Sequence, residues 1–190
     1  MNKIELGRIL NIDNKKFLVI KIDNDNITLM DCENVILNKT SKSEKYFYEH
    51  CDLDDYLETE YYENLSFKEA IEKTTIEQNW IEKDKLGDIE IKGDDIFIRG
   101  KNISSMIRHV YAPSIEDFIE LSEIAKENVI EEYLIKEGTS WTTRDAYPRT
   151  KAGIWGVGRT DKRFTYFFTK ELVSTKPILK ANKAMLEKYI

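Results

Sequence analysis

The chain has 190 residues, 41% of them hydrophobic and 11% aromatic, which is enough for a folded core and excludes a disordered chain. Its net charge is −6 and its isoelectric point is about 5.2, a balance that does not favour nucleic acid as the main partner. With 3 prolines, 8 glycines and no linker-like or repeated stretch, the sequence predicts a single domain over residues 1–190.

The N-terminal part, up to about residue 31, predicts a β-meander. Its three β-rich runs are residues 5–12, 16–22 and 27–31. The stretches between them, residues 13–15 and 23–26, carry Asn and Asp, which tolerate the backbone conformations of hairpin turns. Apolar residues occupy both alternating faces of the second run, so we expect a strand that is buried on both sides at its centre.

Two helices are predicted in the next segment. Apolar residues recur at helical spacing within residues 52–65, and Asp52 is the expected N-cap. Ser66 and Glu69 then form a capping-box pattern, which predicts a short second helix over residues 67–74.

The middle of the chain predicts a hairpin and one further helix. Residues 89–99 alternate between apolar and polar on both sides of a Gly-Asp turn, as the two strands of a hairpin do. Ser114 is the expected N-cap of the helix and Asp117 follows three positions later. This helix is predicted to run to about Lys126.

The region from about residue 139 to 182 is rich in aromatic and basic residues interleaved with glycines, which favours strands and tight turns. A short helix is expected over residues 183–190. Residues 141–190 hold 11 Lys/Arg and 4 Asp/Glu, or +7, against 18 and 31, or −13, in residues 1–140. This polarity predicts two electrostatic faces, unless the charges are simply scattered over a solvated surface.

Several segments, in chain order, resemble the motifs of a known family. Residues 49–62 resemble its run Trp-x-x-Ser-x-Leu-Arg-x-Trp-Leu-Asn-x-x-Phe, and residues 68–74 are similar to an acidic segment containing Ile. Residues 110–117 resemble its Val-Phe-Leu-Leu-Ser-Ile-Glu-Glu. Residues 141–144 look like its Trp-Leu-Arg-Ser, and residues 175–179 are a weaker match to its Val-Arg-Pro-Ala-Leu ending.

The family is a bacterial domain family of unknown function, frequent in clostridial genomes and prophages. The resemblance implies an α+β domain with the C-type-lectin-like fold of the formylglycine-generating enzymes, with mixed or antiparallel sheets and two or three flanking helices. It implies no enzyme activity, because the family has none assigned. The Trp-Leu-Asn core has become Tyr56-Leu57-Glu58, and Trp-Leu-Arg-Ser has lost its Leu and Ser, which indicates a divergent member.

No catalytic, metal or cofactor site is predicted. Cys51 adjoins His50, but sequence neighbours on a helix or strand point apart, so a Cys-His nucleophile is not expected. The sequence lacks zinc-type Cys/His pairs, a calcium-binding loop of EF-hand type and the sugar-binding triplets of lectins. The oxygen-rich residues 23–26 are interpreted as a turn, and the glycines of residues 153–158 lack the Lys-Ser/Thr of a phosphate loop.

The best candidate for a binding surface is the aromatic and basic segment between residues 141 and 168. Aromatic residues and Arg are frequent interface anchors, and the same mixture binds nucleic acid. The alternative is that Trp141 and, less clearly, Trp155 are core residues surrounded by solvated basic side chains. The predicted surface residues are Trp141, Arg144, Tyr147, Arg149, Trp155, Arg159, Lys162 and Arg163.

Residues 1–7 lack the charged start and apolar core of a signal peptide, and no run nears the ~20 apolar residues that cross a bilayer. We expect a protein made in the cytoplasm, without membrane insertion, that leaves the cell only in a particle or by lysis. Cys32 and Cys51 are then predicted to be free thiols, with a disulfide as the lesser alternative.

Together with the prophage association of the family, these observations favour a non-enzymatic structural or interaction protein of a bacteriophage or phage-tail-like particle. Its expected partners are neighbouring protein subunits or a cell-surface glycan. One alternative is a cytosolic module that binds a peptide, glycan or small ligand in a pocket lined by Trp155 and Arg144. The other is a diverged enzyme, which needs an exposed cysteine with a lowered pKa.

Overall fold

A computed structural model describes residues 4–37, 48–80, 102–124, 129, 133, 141–146, 153–157, 164–168 and 173–190. The strands in these residues are β1 (Ile9–Ile12), β2 (Lys15–Asp23), β3 (Asn26–Asp31), β4 (Val35–Leu37), β5 (Ile71–Glu72), β6 (Thr74–Trp80), β7 (Asn102–Arg108), β8 (Val110–Tyr111), β9 (Trp141–Ala146), β10 (Gly153–Val157), β11 (Phe164–Phe168), β12 (Val173–Thr175) and β13 (Ile178–Asn182). The α-helices are α1 (Asp52–Tyr56), α2 (Ile115–Ile124) and α3 (Lys183–Leu186).

The main sheet is built around the C-terminal strand β13. Its strand order is β1-β2-β3-β13-β5, and β8 also pairs with β13. Three smaller groups accompany it among the described residues: β9-β10-β11, the ribbon β4-β12 and the ribbon β6-β7. The recorded pairs are antiparallel, so the predicted α+β class with antiparallel sheets is confirmed.

The predicted N-terminal meander is confirmed in β1, β2 and β3. Asp13 and Asn14 form the first turn with φ of 48° and 66°, in the left-handed region that Asn and Asp tolerate. Phe17, Leu18 and Val19 are all fully buried, so the centre of β2 is covered on both faces as expected. The stretch between β2 and β3 is the hairpin turn that was predicted.

The first predicted helix is confirmed as α1 followed by one turn of π-helix, Leu57–Tyr61, but its predicted cap is wrong. The backbone turns at His50, where φ is 61°, and Cys51 then takes the extended conformation before the first helical residue. The Cys51 Sγ accepts a hydrogen bond from the Asp54 N–H at 3.4 Å. Cys51 is therefore the N-cap, and Asp52 is the first residue inside the helix.

The short helix predicted after Ser66 is wrong. A single 3₁₀ turn, Lys68–Ala70, leads directly into β5, and no side chain caps it. β5 pairs with β13, and the Thr-Thr-Ile sequence that follows begins β6. Pairing with a central strand and the β-propensity of Thr and Ile outweigh the local capping pattern.

Helix α2 begins as predicted. The Ser114 Oγ accepts from the Asp117 N–H at 3.0 Å, and the Asp117 carboxylate accepts from the Ser114 N–H at 2.7 Å. This reciprocal pair is a capping box with Asp in the third position. The predicted helix end near Lys126 and the predicted hairpin over residues 89–99 lie outside the described residues.

The C-terminal region forms strands, as predicted from its aromatic residues and glycines. The predicted terminal helix forms only as α3, which ends at Leu186 instead of residue 190, and Asn182 caps it by accepting from the Met185 N–H at 3.2 Å. Across the stretches that the structure describes, no helix is both long enough and apolar enough to span a membrane.

Candidate functional site

A cleft of about 270 Å³ lies between the main sheet and helix α2. It combines sheet residues with helix residues, and most of them are polar. The sheet contributes Ile20, Lys21, Asp23, Thr28, Tyr111 and Lys180, the ribbon strand β6 contributes Thr74, and α2 contributes Asp117, Glu120 and Leu121. A concave site with a few convergent polar groups is the usual form of a small-molecule site.

A β-bulge brings Lys21 to the cleft. Val19 pairs with Leu29 and Lys21 pairs with Thr28, so Ile20 is an extra residue in β2 without an opposite partner in β3. A bulge interrupts the alternation of side chains, which explains why consecutive residues of one strand, Ile20 and Lys21, both line the cleft. Bulges are frequent beside functional sites because they redirect a side chain.

Several polar groups at the cleft have no protein partner. The Thr74 hydroxyl is buried and makes no hydrogen bond. For the exposed Lys21 ammonium and Glu120 carboxylate, no hydrogen bond or ion pair is found within the described part of the chain. A buried polar atom without a partner costs about 1–3 kcal/mol, so the Thr74 hydroxyl is an unsatisfied group in the wall of the cleft.

Asp117 holds the helix side of the cleft in place through Arg144. The Arg144 Nη1 donates to the Asp117 carboxylate and to the Ala112 carbonyl, both at 2.8 Å, and its Nε donates to the Glu77 carbonyl at 2.6 Å. Burial opposes the charge of Arg144, but the carboxylates of Asp117 and Asp145 outweigh it and raise its pKa. Arg144 therefore ties α2 to β6 and to the segment before α2.

Tyr111 joins this network to the cleft. The Arg144 guanidinium carbon lies 5.5 Å from the centre of the Tyr111 ring, within the range of a cation–π contact. Burial, assisted by the charge of Asp117, raises the pKa of Tyr111, so its hydroxyl stays a neutral donor and acceptor. The remaining cation, Lys180, lies 4.0 Å from the Asp23 carboxylate, at the limit of an ion pair.

Trp141 and Arg144 do not belong to an exposed surface, so this part of the predicted binding surface is wrong. Trp141 is fully buried and stacks edge-on against Phe118, with ring centres 5.7 Å apart. Arg144 is 7% exposed, and its donors are used as described above. The alternative expectation, that Trp141 is a core residue, is confirmed.

The other predicted surface residues are located only in part. Trp155 lies in β10 opposite Tyr166, and its side chain falls outside the described part. The remaining five predicted residues, Tyr147, Arg149, Arg159, Lys162 and Arg163, are outside the described residues. The predicted pocket lined by Trp155 and Arg144 differs from the cleft, which Arg144 reaches only through Asp117 and Tyr111.

The two cysteines are free thiols, as predicted, and neither is activated. Burial raises the pKa of both Cys32 and Cys51 to about 12. A nucleophilic thiol needs the opposite change, because the thiolate is the reactive species. A diverged cysteine enzyme would need an exposed cysteine with a lowered pKa, and the pKa is lowered at neither Cys32 nor Cys51.

His50, Asp54 and Asp55 bring three metal-type ligand atoms within 4.8 Å of one another. Asp54 is already occupied: its carboxylate accepts from Arg108 Nε at 2.7 Å and Nη2 at 2.6 Å, and also from the His50 N–H. The bidentate Arg108 pair fastens α1 to β7. This group is thus a structural junction rather than a set of open ligands.

A second buried charge cluster lies at the end of β3. Asp31 is fully buried and accepts from the Tyr61 hydroxyl at 2.6 Å and from Lys15 at 3.1 Å. Lys176, which is 3% exposed, donates to the Cys32 carbonyl, and burial lowers its pKa to about 8. Each charge here has a partner, so the cluster connects β2, β3 and the segment before β13.

The cleft residues are not recognisable from the sequence. Lys21 and Thr28 occur in ordinary strand patterns, and Glu120 is one of several acids on an amphipathic helix. The one available signal was the apolar alternation of β2, which Lys21 interrupts.

A search of protein families, curated proteins and solved structures finds no match to this chain.

Proposed function

We propose that this chain is a non-enzymatic binding module that holds a small polar ligand in the cleft between the main sheet and α2. The observation that carries this proposal is the set of unpartnered groups around one concave site. Lys21, Glu120 and the buried Thr74 hydroxyl have no protein partner in the described part of the chain, whereas the Oδ2 of the neighbouring Asp117 accepts from both Ser114 and Arg144.

The groups around the cleft define the kind of ligand. Lys21 on the sheet offers a cation and Glu120 on the helix offers an anion, so the best fit carries both an acidic and a basic or hydrogen-donating group. The Tyr111 hydroxyl suits a further ligand hydroxyl or carbonyl. A volume of about 270 Å³ is at the small end of ligand sites, the scale of one sugar unit or one amino acid.

Isothermal titration with free amino acids, glucosamine, glucuronic acid and muramic acid tests the proposal. These probes separate zwitterions from molecules with one charge. We expect the zwitterionic probes to bind best and the double variant Lys21→Ala/Glu120→Ala to lose at least about 100-fold in affinity, since two charge-assisted hydrogen bonds at about 1.5–3 kcal/mol each are removed.

The matched control is Lys188→Ala/Glu187→Ala, which removes one cation and one anion from an exposed position outside the cleft. It should bind like the unmodified protein. Equal affinity of both double variants, or no binding of any probe at millimolar concentration, would refute the cleft as the ligand site.

The second candidate function is a structural component of a bacteriophage or phage-tail-like particle, with the C-type-lectin-like fold of the family that the chain resembles. The observed α+β architecture with three α-helices in the described part is compatible with that fold. Exposed isoleucines favour a protein-contacting role: Ile36, Ile103 and Ile107 are 62%, 46% and 59% exposed.

Mass spectrometry of particles released from the producing cell tests this second function. A structural component should co-purify with the particles at a fixed ratio to their other subunits, and electron microscopy would then locate it. Absence from purified particles, with the protein recovered in the soluble fraction, would exclude this function and leave the binding module.

A further inference from the structure

Two of the charged residues that line the cleft form an ion pair with each other. The Lys180 Nζ lies 4.0 Å from the Asp23 Oδ2, and the two side chains are 28% and 46% exposed. An exposed pair at this distance contributes little to stability, since water and salt screen both charges. The Lys180 ammonium is therefore held only loosely by its protein partner.

The sheet register places Lys180 in one row with Lys21. Both lysines pair with Thr28 of β3, Lys21 from β2 and Lys180 from β13. Residues directly opposite each other in an antiparallel sheet project from the same face, and neighbouring strands lie about 4.8 Å apart. The Cα atoms of the two lysines are thus about 10 Å apart with Thr28 between them. All three residues line the cleft.

Asp23 lies outside this row. It follows Lys21 by two residues on the same face of β2, opposite Asn26, which places it about 6.6 Å further along the strand. The Lys180–Asp23 pair therefore runs diagonally across β3 instead of along the row. On its other side Lys180 lies opposite Glu72, whose carboxylate accepts from the Asn26 Nδ2 at 2.9 Å. Asp23 is thus the carboxylate with which Lys180 pairs.

The row offers a carboxylate more than Asp23 receives. A ligand carboxylate above Thr28 has one lysine on each side, and the flexible lysine stems allow both ammonium groups to reach it. Its two oxygens can each accept from one ammonium, whereas Asp23 pairs with Lys180 alone among the described residues. A carboxylate bound in the row therefore competes with Asp23 for Lys180.

We propose that Asp23 is a built-in competitor that sets the affinity of the cleft for carboxylate ligands. The ligand carboxylate displaces Asp23 from Lys180 and binds between Lys21 and Lys180 above Thr28. This inference rests on the proposed binding function and adds two residues that determine its specificity. Lys180 holds the acidic group of the ligand together with Lys21, and Asp23 weakens that binding.

Isothermal titration of free amino acids, glucuronic acid and muramic acid into single variants tests the competition. Asp23→Asn releases Lys180 and should tighten the binding of these carboxylates about 2- to 5-fold, the effect of one exposed ion pair. Lys180→Met should weaken it about 10-fold or more, since a charge-assisted hydrogen bond is removed. Glucosamine, which has no carboxylate, should bind no more tightly to Asp23→Asn.

The matched controls are Asp25→Asn, at an exposed carboxylate in the adjoining turn, and Lys188→Met, at an exposed lysine. Neither residue lines the cleft, so both variants should bind like the unmodified protein. The sharpest test is the double variant Asp23→Asn/Lys180→Met. It should bind no more tightly than Lys180→Met, because Asp23 then has no ammonium to compete for.

Thermal unfolding of each variant shows that it is folded. If Lys180→Met unfolds, the comparison of Asp23→Asn with Asp25→Asn decides the result. If carboxylates bind and Lys21→Ala/Glu120→Ala weakens them, but Asp23→Asn binds no more tightly than Asp25→Asn, the competition is refuted and the cleft remains the ligand site. If no probe binds, the proposed function and this inference fail together.

Discussion

Arg144 and Lys21 are both cations beside the same cleft, yet they differ in almost every physical respect. Arg144 is buried and donates to two carbonyls and one carboxylate. Lys21 is exposed at a bulge and has no partner among the described residues. A buried cation that donates to three protein groups supports the fold, whereas a cation without a partner at a concave site is available to a ligand.

The largest expected effect comes from removing the Arg144 cation. Arg144→Met should lower the free energy of unfolding by about 3–5 kcal/mol, because it removes the cation that pairs with Asp117 and the donor of the Ala112 and Glu77 carbonyls. Urea denaturation measures this change. Arg8→Met, at an exposed arginine, is the control and should change stability by less than about 0.5 kcal/mol. If Arg144→Met and Arg8→Met both change the free energy of unfolding by similarly small amounts, Arg144 does not stabilise the fold.

The junction between α1 and β7 should show a similar but somewhat smaller effect. Asp54→Asn keeps the shape of the side chain but removes the charge that Arg108 pairs with, so we expect a loss of about 3 kcal/mol in urea denaturation. Asp52→Asn, at the exposed first residue of the helix, should cost less than about 1 kcal/mol. If Asp54→Asn lowers the free energy of unfolding no more than Asp52→Asn does, the Asp54–Arg108 pair does not hold α1 to β7.

Lys176 should give a pH-dependent effect. Burial lowers its folded pKa to about 8 from an ordinary 10.5, so the unfolded chain binds more protons between those values and stability rises with pH there. Relative to Lys176→Met, the unmodified protein should gain about 2–3 kcal/mol between pH 7.5 and pH 10. Denaturation at several pH values measures the difference. A constant difference across this range would show that the lysine titrates normally.

The smallest effect is expected at the N-terminus of α2. Ser114→Ala removes the acceptor for the Asp117 N–H and should cost about 1 kcal/mol. Ser114→Asp, which keeps an acceptor at the cap, should recover most of this loss in the same denaturation assay. If Ser114→Asp is no better than Ser114→Ala, the hydroxyl does not act as a cap.

The fold was predictable where local signals and tertiary structure agree. The meander, its Asn and Asp turns and the Ser114 cap of α2 follow from short-range patterns that the packing preserves. The Ser66 capping pattern failed because the following residues pair with β13, which is more than a hundred positions away in sequence. Long-range pairing of this kind is not visible in local propensity.

The cleft was not predictable for the same reason. It joins β2, β13 and α2, which only the sheet order and the bulge at Ile20 bring together. The sequence instead drew attention to Trp141 and Arg144, where aromatic and basic residues are dense. Composition does not distinguish a satisfied arginine from a free one, because that depends on which carbonyls and carboxylates surround it.

Chemical-shift mapping by amide NMR, with the best zwitterionic probe added to the unmodified protein, locates the ligand site. If the ligand binds in the cleft, the amides that shift most will be those of Lys21, Thr74, Tyr111 and Glu120. Shifts that cluster instead in residues 147–163, or on no contiguous surface, would rule out the cleft as the ligand site.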